Sequence, residues 1–187
     1  MDQLEGLFLS EGFAHLTIDE IVGQLRCSKM TLYTLAPSRE QLTTTVLRRF
    51  FDQAAATVEA AIEAGGSPEE RIRAGVVVPA EEMRRMTPTC FTDVLQFTTT
   101  RELFDTFAAS CTNLLTESLA GPGESGSPRV RLVAEVVRLV LQDLYSGELA
   151  SRTNLAEGTA LDNLVATVIA AVNAPNGNGR PRIRRVK

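Results

Sequence analysis

The sequence predicts an all-α protein of about nine helices, and three observations carry that prediction. A Ser or Thr is followed three residues later by Glu or Gln at Thr17–Glu20, Ser38–Gln41, Ser67–Glu70 and Thr99–Glu102. At that spacing a hydroxyl and a longer side chain satisfy each other's orphan amides at a helix start. Apolar residues between these starts recur at i, i+3 and i+4, one face of a 3.6-residue period. Glycines and prolines punctuate the intervals at Gly12, Pro37, Gly65-Gly66 and the stretch "AGPGESGSPR", residues 120–129.

In chain order, the first helix covers about 2–11 and ends at Gly12, a residue suited to a helix C-terminus. The second, about 18–25, sets Ile18, Ile21, Val22 and Leu25 on one stripe. The third, about 28–35, stops before Pro37, whose ring disfavours helical geometry in the residue before it. A long fourth helix, about 39–64, reaches Gly65-Gly66. The fifth opens at Pro68, a favoured first position, kinks or breaks near Pro79 and runs to about Met86. A short sixth helix covers about 89–97 and a seventh about 100–119. The eighth, about 128–146, is dense in Val and Leu. The ninth, about 157–173, carries Leu161, Leu164, Val165, Val168, Ile169 and Val172 at helical spacing. No internal repeat is present, and a basic tail after Pro175 is expected to be disordered.

Composition narrows the function. A chain of 187 residues, 44% hydrophobic with mean hydropathy +0.01, supports a real core. No apolar run approaches the roughly 18–20 residues of a membrane span, and the acidic start "MDQLEGLFLS" lacks a basic leader region. Three cysteines, Cys27, Cys90 and Cys111, are too few and too dispersed for a disulfide framework, so the expected compartment is the cytoplasm. His15 is the sole imidazole, which excludes a two-histidine metal site. With no phosphate loop and no nucleophile elbow, neither an enzyme nor a cofactor is expected. The final 14 residues hold Arg180, Arg182, Arg184, Arg185 and Lys187 and no acid; removing those five positive charges from the net −4 leaves −9 on the body. A body that negative is no general phosphate binder, so any DNA contact must be local.

The stripe over 18–25, the break at Arg26-Cys27 and the short helix opening at Ser28 form a helix-turn-helix pattern. Around it, "LFLSEGFAHLTIDEI" and "SKMTLYTLAPSREQL" resemble the N-terminal domain of the tetracycline-repressor (TetR) family of bacterial transcription regulators. Leu7, Phe8, Gly12, Phe13, Thr17, Ile21, Ser28, Lys29, Thr31, Leu32, Tyr33, Ser38, Glu40 and Leu42 carry the resemblance, which covers about residues 4–50 by motif and the remainder by helix count. It implies that the third helix enters the major groove. Thr17 would meet a phosphate at a helix N-terminus, and Ser28, Lys29, Met30, Thr31, Tyr33 and Thr34 would face DNA. Arg39 would stand where the family touches phosphate. Thr17 and Ser38 also read as plain caps, Lys29 as a solvated side chain and Tyr33 as packing. Four departures stand out. Arg26 occupies a position where the family has glycine for a left-handed turn. Met30 projects an apolar chain, Ala36 replaces an aromatic, and residues 1–50 hold five bases against six acids.

For the body, the resemblance implies a ligand cavity enclosed by the fifth to seventh helices and a homodimer formed through the eighth and ninth. The residues support the second implication independently. Val130, Val133, Val136, Val137, Val140, Leu141 and Leu144 give the eighth helix more apolar surface than one face of a small monomer needs. The expected interface is Val133, Val137, Val140, Leu144, Leu161, Leu164, Val165, Val168 and Val172. Met83, Met86, Phe91, Phe97, Phe104 and Phe107 are expected either to wall a pocket for an apolar small molecule or to be ordinary core.

Three units follow: a helix-turn-helix DNA-binding domain over 1–46, a ligand-binding and dimerisation domain over 47–174, and the tail over 175–187. The expected function is a homodimeric, ligand-responsive regulator, a repressor on a near-palindromic double-stranded DNA operator, with no membrane partner. The rival is a dimeric small-molecule-binding or interaction protein whose helix-turn-helix no longer binds DNA.

Overall fold

A computed structural model describes residues 1–120 and 127–174. The basic tail and most of the 120–129 loop lie outside them. The described residues form ten α-helices: α1 Asp2–Glu11, α2 Ile18–Leu25, α3 Lys29–Leu35, α4 Arg39–Ala64, α5 Pro68–Met83, α6 Pro88–Gln96, α7 Thr98–Leu119, α8 Pro128–Tyr145, α9 Glu148–Thr153 and α10 Glu157–Asn173. Among the described residues there is no strand. No helix among the described residues is long and apolar enough to cross a membrane.

Local chemistry sets most of the starts. Thr17 and Glu20 close a reciprocal capping box on α2, as Ser67 and Glu70 do on α5. Ser28 and Ser38 accept single amide bonds from Thr31 and Gln41. The fourth expected box does not form. α7 begins at Thr98 with Phe97 as its N-cap residue and has no side-chain cap. α6 ends one residue earlier, so Thr99 already lies inside the first turn. α5 runs through Pro79 and ends at Met83, three residues short of expectation.

The tenth helix is an addition. Six residues, α9, lie between Gly147 at φ 77° and Asn154 at φ 55°, and bury no side chain. A segment so short and without an apolar stripe leaves no periodic trace in the sequence.

Two buried clusters organise the packing. The first joins Leu4, Phe8 and Ile21 of the N-terminal head to Phe91, Phe104 and Cys111 of the body. It passes through Val46, Leu47 and Phe50 of α4, so packing is continuous across the expected boundary at 46/47. The second cluster lies among α5, α7, α8 and α10 and includes Val76, Leu115, Ala134, Val137 and Val165. Arg26 adopts φ 50°, ψ 41° and donates its amide to the Val22 carbonyl. The helix-turn-helix corner is therefore made with a left-handed non-glycine residue, at a cost of about 1–2 kcal/mol.

Candidate nucleic-acid interface and effector cavity

α3 has seven residues, of which only Leu32 is buried. Lys29, Met30, Thr31, Tyr33 and Thr34 all face outward, Met30 at 74% exposure. Their environments differ. The Ser28 hydroxyl accepts the Thr31 amide at 3.0 Å and lies 2.9 Å from the Thr31 hydroxyl, which fixes the first turn. Thr34 donates its hydroxyl to the Thr31 carbonyl at 2.6 Å. Lys29 Nζ reaches Asp19 of α2 at 2.7 Å, and that hydrogen bond, then the carboxylate's charge, raises the ammonium's pKa. Thr17 sits at the exposed start of α2, bonded to Glu20 through its amide at 2.7 Å and its hydroxyl at 2.8 Å.

Arg39 has a different neighbourhood from the one its position in the motif suggests. Its Nε donates to the Leu16 carbonyl at 2.6 Å, and Nη2 donates to those of Phe13 and Ala14 at 2.6 and 2.9 Å. The guanidinium thus holds the α1–α2 loop rather than projecting from the head. From the other side, Oδ2 of Asp93 on α6 accepts the Phe13 amide at 2.7 Å and the Ala14 amide at 2.8 Å. Gly12, at φ 84°, makes room for this contact: a Cβ there would stand 2.6 Å from Asp93 Oδ2. Arg39 and Asp93 therefore grip one loop between the head and the body. Partners 79 and 80 residues apart have no sequence signature, and Asp93 was not an expected site residue.

The six expected cavity residues separate. Phe104 and Phe107 line a narrow cavity between α5, α7 and α8, whose walls also include Gly75, Cys111, Arg138 and Tyr145. Met83, Met86 and Phe91 are buried in the adjoining core. Phe97 is elsewhere, 41% exposed, its ring 6.0 Å from that of Phe13. The cavity is about 30 Å³, space for roughly two waters and well below the ~300–1,000 Å³ of ordinary ligand sites. Burial raises the Tyr145 phenol well above its ordinary pKa and pushes the Cys90 and Cys111 thiols up to about 12. Such thiols are poor nucleophiles. Among the described residues no group of three His, Cys, Asp or Glu is placed to hold a metal ion.

The residues expected at a dimer interface face the chain's own core. Val137, Leu161, Leu164, Val165 and Val168 are buried within one chain, and Val133, Val140, Leu144 and Val172 pack half-buried against the same core. The outward stripe of α8 is Leu132, Val136 and Leu139, at 65%, 46% and 51% exposure. These lie at i, i+4 and i+7, one face of a helix. Ala166, Thr167 and Ala170 form part of the exposed face of α10.

No protein-family model and no curated protein matches the chain. Solved structures do. The chain is similar to a TetR-like transcriptional regulator from Rhodococcus sp. RHA1 at a TM-score of 0.67 and 17% identity, covering 93% of each chain. It is also similar to a transcriptional regulator (TerR/AcrR family) from Aquifex aeolicus VF5, at a TM-score of 0.65 and 18% identity over 89% of this chain and 94% of that one. The agreement spans the head and body together, and the chain has the fold of the TetR-like transcriptional regulators.

Proposed function

We propose that the chain is a homodimeric, ligand-responsive transcription regulator of the cytoplasm, a repressor that reads a near-palindromic operator through α3. The supporting observation is α3 itself: one of its seven side chains is buried, while Ser28 and Thr31 fix its first turn. A helix that contributes one residue to the core is held out for a partner, and a major groove admits such a helix. The Leu132, Val136 and Leu139 stripe supplies the seam along which two copies pair, with α10 beside it. Pairing sets two reading helices about 34–36 Å apart, one turn of DNA. An apolar small molecule that widens the narrow α5–α7–α8 cavity displaces α7, and with it α6, which packs on α7 and whose Asp93 grips the loop leading into α2. A ligand favouring the shifted state releases DNA by linkage.

A second reading rests on Lys29 and Arg39. One is paired with Asp19 and the other holds three loop carbonyls, so two of the head's three cations, all but Arg26, are engaged internally. That favours a dimeric small-molecule-binding protein without DNA contact. Selection from a random duplex pool at moderate salt separates the two. Enrichment of a palindrome with half-sites one turn apart supports the regulator; a flat pool from folded, dimeric protein supports the alternative.

A further inference from the structure

Where the first turns of α4 face the α6–α7 junction, a groove of about 330 Å³ opens between head and body. It is some tenfold larger than the α5–α7–α8 cavity and falls in the range of small-molecule sites, ~300–1,000 Å³. One wall is aromatic, made by Phe13 and the exposed Phe97, ring centroids 6.0 Å apart. The other is polar, made by Arg39, Thr43 and Thr44 of α4 and Thr98–Thr100 of α7.

Two independent features point to an occupant. The first is the start of α7, a helix of 22 residues with no side-chain cap and no acid in its first turn. The side chains that might have served it face α6 instead. Thr100 donates its hydroxyl to the Val94 and Phe97 carbonyls at 2.8 and 3.1 Å, and Arg101 donates to the Leu95 carbonyl. The amides of Thr98, Thr99 and Thr100 have no helical partner, and they carry the positive end of the α7 dipole. The second is Thr43. Several helical threonines hand their hydroxyls to the carbonyl four residues back, as Thr44 does to Glu40 at 2.8 Å and Thr106 to Glu102 at 2.8 Å. Thr43 is 6% exposed, lines the groove and makes no hydrogen bond among the described residues. The Thr43 hydroxyl is not one of the fully enclosed side-chain atoms without a hydrogen bond, which among the described residues are Glu5 Oε2 and Arg49 Nη1, so a molecule in the groove can reach it and accept from it.

We propose that this groove binds a small aromatic monocarboxylate. The carboxylate accepts from the first-turn amides of α7 and from the Thr43 hydroxyl, the arrangement in which a helix N-terminus holds an anion. The Arg39 charge lies on the same wall. The ring lies against Phe13 and Phe97, which accounts for an apolar side chain left 41% in water. Glu40 is the one carboxylate among the lining residues, and its charge opposes a second negative group, so mono- rather than dicarboxylates fit. The site is distinct from the α5–α7–α8 cavity and does not depend on DNA binding.

Titrating the ¹⁵N-labelled full chain with benzoate, followed in a TROSY spectrum, tests this. Saturable shifts at the amides of Thr98, Thr99 and Thr100 are expected. Benzamide should bind about tenfold or more weakly, because the bonds to a charged acceptor are lost. Thr43→Val should weaken benzoate about tenfold, and Phe97→Ala, at an exposed position, about fivefold. The proposal is overturned if those three amides do not shift saturably, or if benzamide matches benzoate. It is equally overturned if inorganic phosphate saturates the same amides as tightly, or if both variants bind like the parent.

Discussion

Replacing Asp93 by alanine removes the two hydrogen bonds through which α6 holds the α1–α2 loop, those from the Phe13 and Ala14 amides at 2.7 and 2.8 Å. Each bond to a charged acceptor contributes about 1.5–3 kcal/mol, so about 3–6 kcal/mol bounds the loss. Phe13 is buried but Ala14 is only half-buried, and water reaching the second amide offsets part of it. The expected cost is about 3 kcal/mol, a large share of a typical ~5–15 kcal/mol stability. Asp93→Asn keeps an acceptor oxygen and loses only the charge, costing about 1–1.5 kcal/mol. Urea unfolding followed by circular dichroism at 222 nm measures both, at one fixed protein concentration because an associating protein's stability depends on it. Gly12→Ala supplies an independent check. Its Cβ would stand 2.6 Å from Asp93 Oδ2 at a φ of +84°. In the Asp93→Ala background the 2.6 Å clash disappears, leaving backbone strain and a 3.1 Å approach to Thr89 Cγ2, so the two substitutions should couple by at least about 1 kcal/mol. A loss below about 1 kcal/mol for Asp93→Ala, or strict additivity with Gly12→Ala, would refute the reasoning.

Arg26→Gly should stabilise the protein by about 0.5–1 kcal/mol, because relief of the left-handed strain exceeds the added freedom of the unfolded chain; an unchanged or lower urea midpoint contradicts this. Leu139→Lys places a charge on the exposed stripe of α8 and should shift the protein toward monomer in analytical ultracentrifugation, with helicity retained. Cys90 and Cys111 ionise near 9 when unfolded and near 12 when folded. Their contribution to stability is therefore complete below pH 9 and lost as pH rises toward 12. In a thiol titration of native protein at pH 8, half-buried Cys27 should react first and the other two only on denaturation.

What the sequence made legible was what local chemistry decides. Thr17, Ser28, Ser38 and Ser67 cap within three residues of themselves, and Gly12 and Pro37 break helices through their own backbones. The seven-residue α3, with its one inward Leu32, could be placed on the same terms. Features that depend on distant residues were not legible. Arg39 lies where the motif suggests a phosphate contact, yet its partners are carbonyls 23 to 26 residues earlier. On α8, period alone cannot distinguish a residue facing its own core, such as Val137, from one facing away, such as Val136. Phe97 has the composition of a cavity wall but stands at a junction where α6 ends and α7 begins, and only the packing of α6 against the head sends it into the groove. Thr99 and Glu102 match a capping box in spacing, but a start at Thr98 makes Phe97 the N-cap and puts Thr99 two residues too far into the helix.

The central claim is that α3 reads DNA sequence. The most direct measurement is the affinity ratio between a duplex enriched by selection and a scrambled duplex of equal length, for the parent and for Lys29→Ala and Tyr33→Phe, at one salt concentration. The parent ratio should be about 10³ or more. Both variants should lower operator affinity by about fivefold or more, the scale of a lost hydrogen bond or phosphate contact, with dimer mass and urea midpoint unchanged. A parent ratio near one, or operator affinity untouched by both substitutions, would contradict the account.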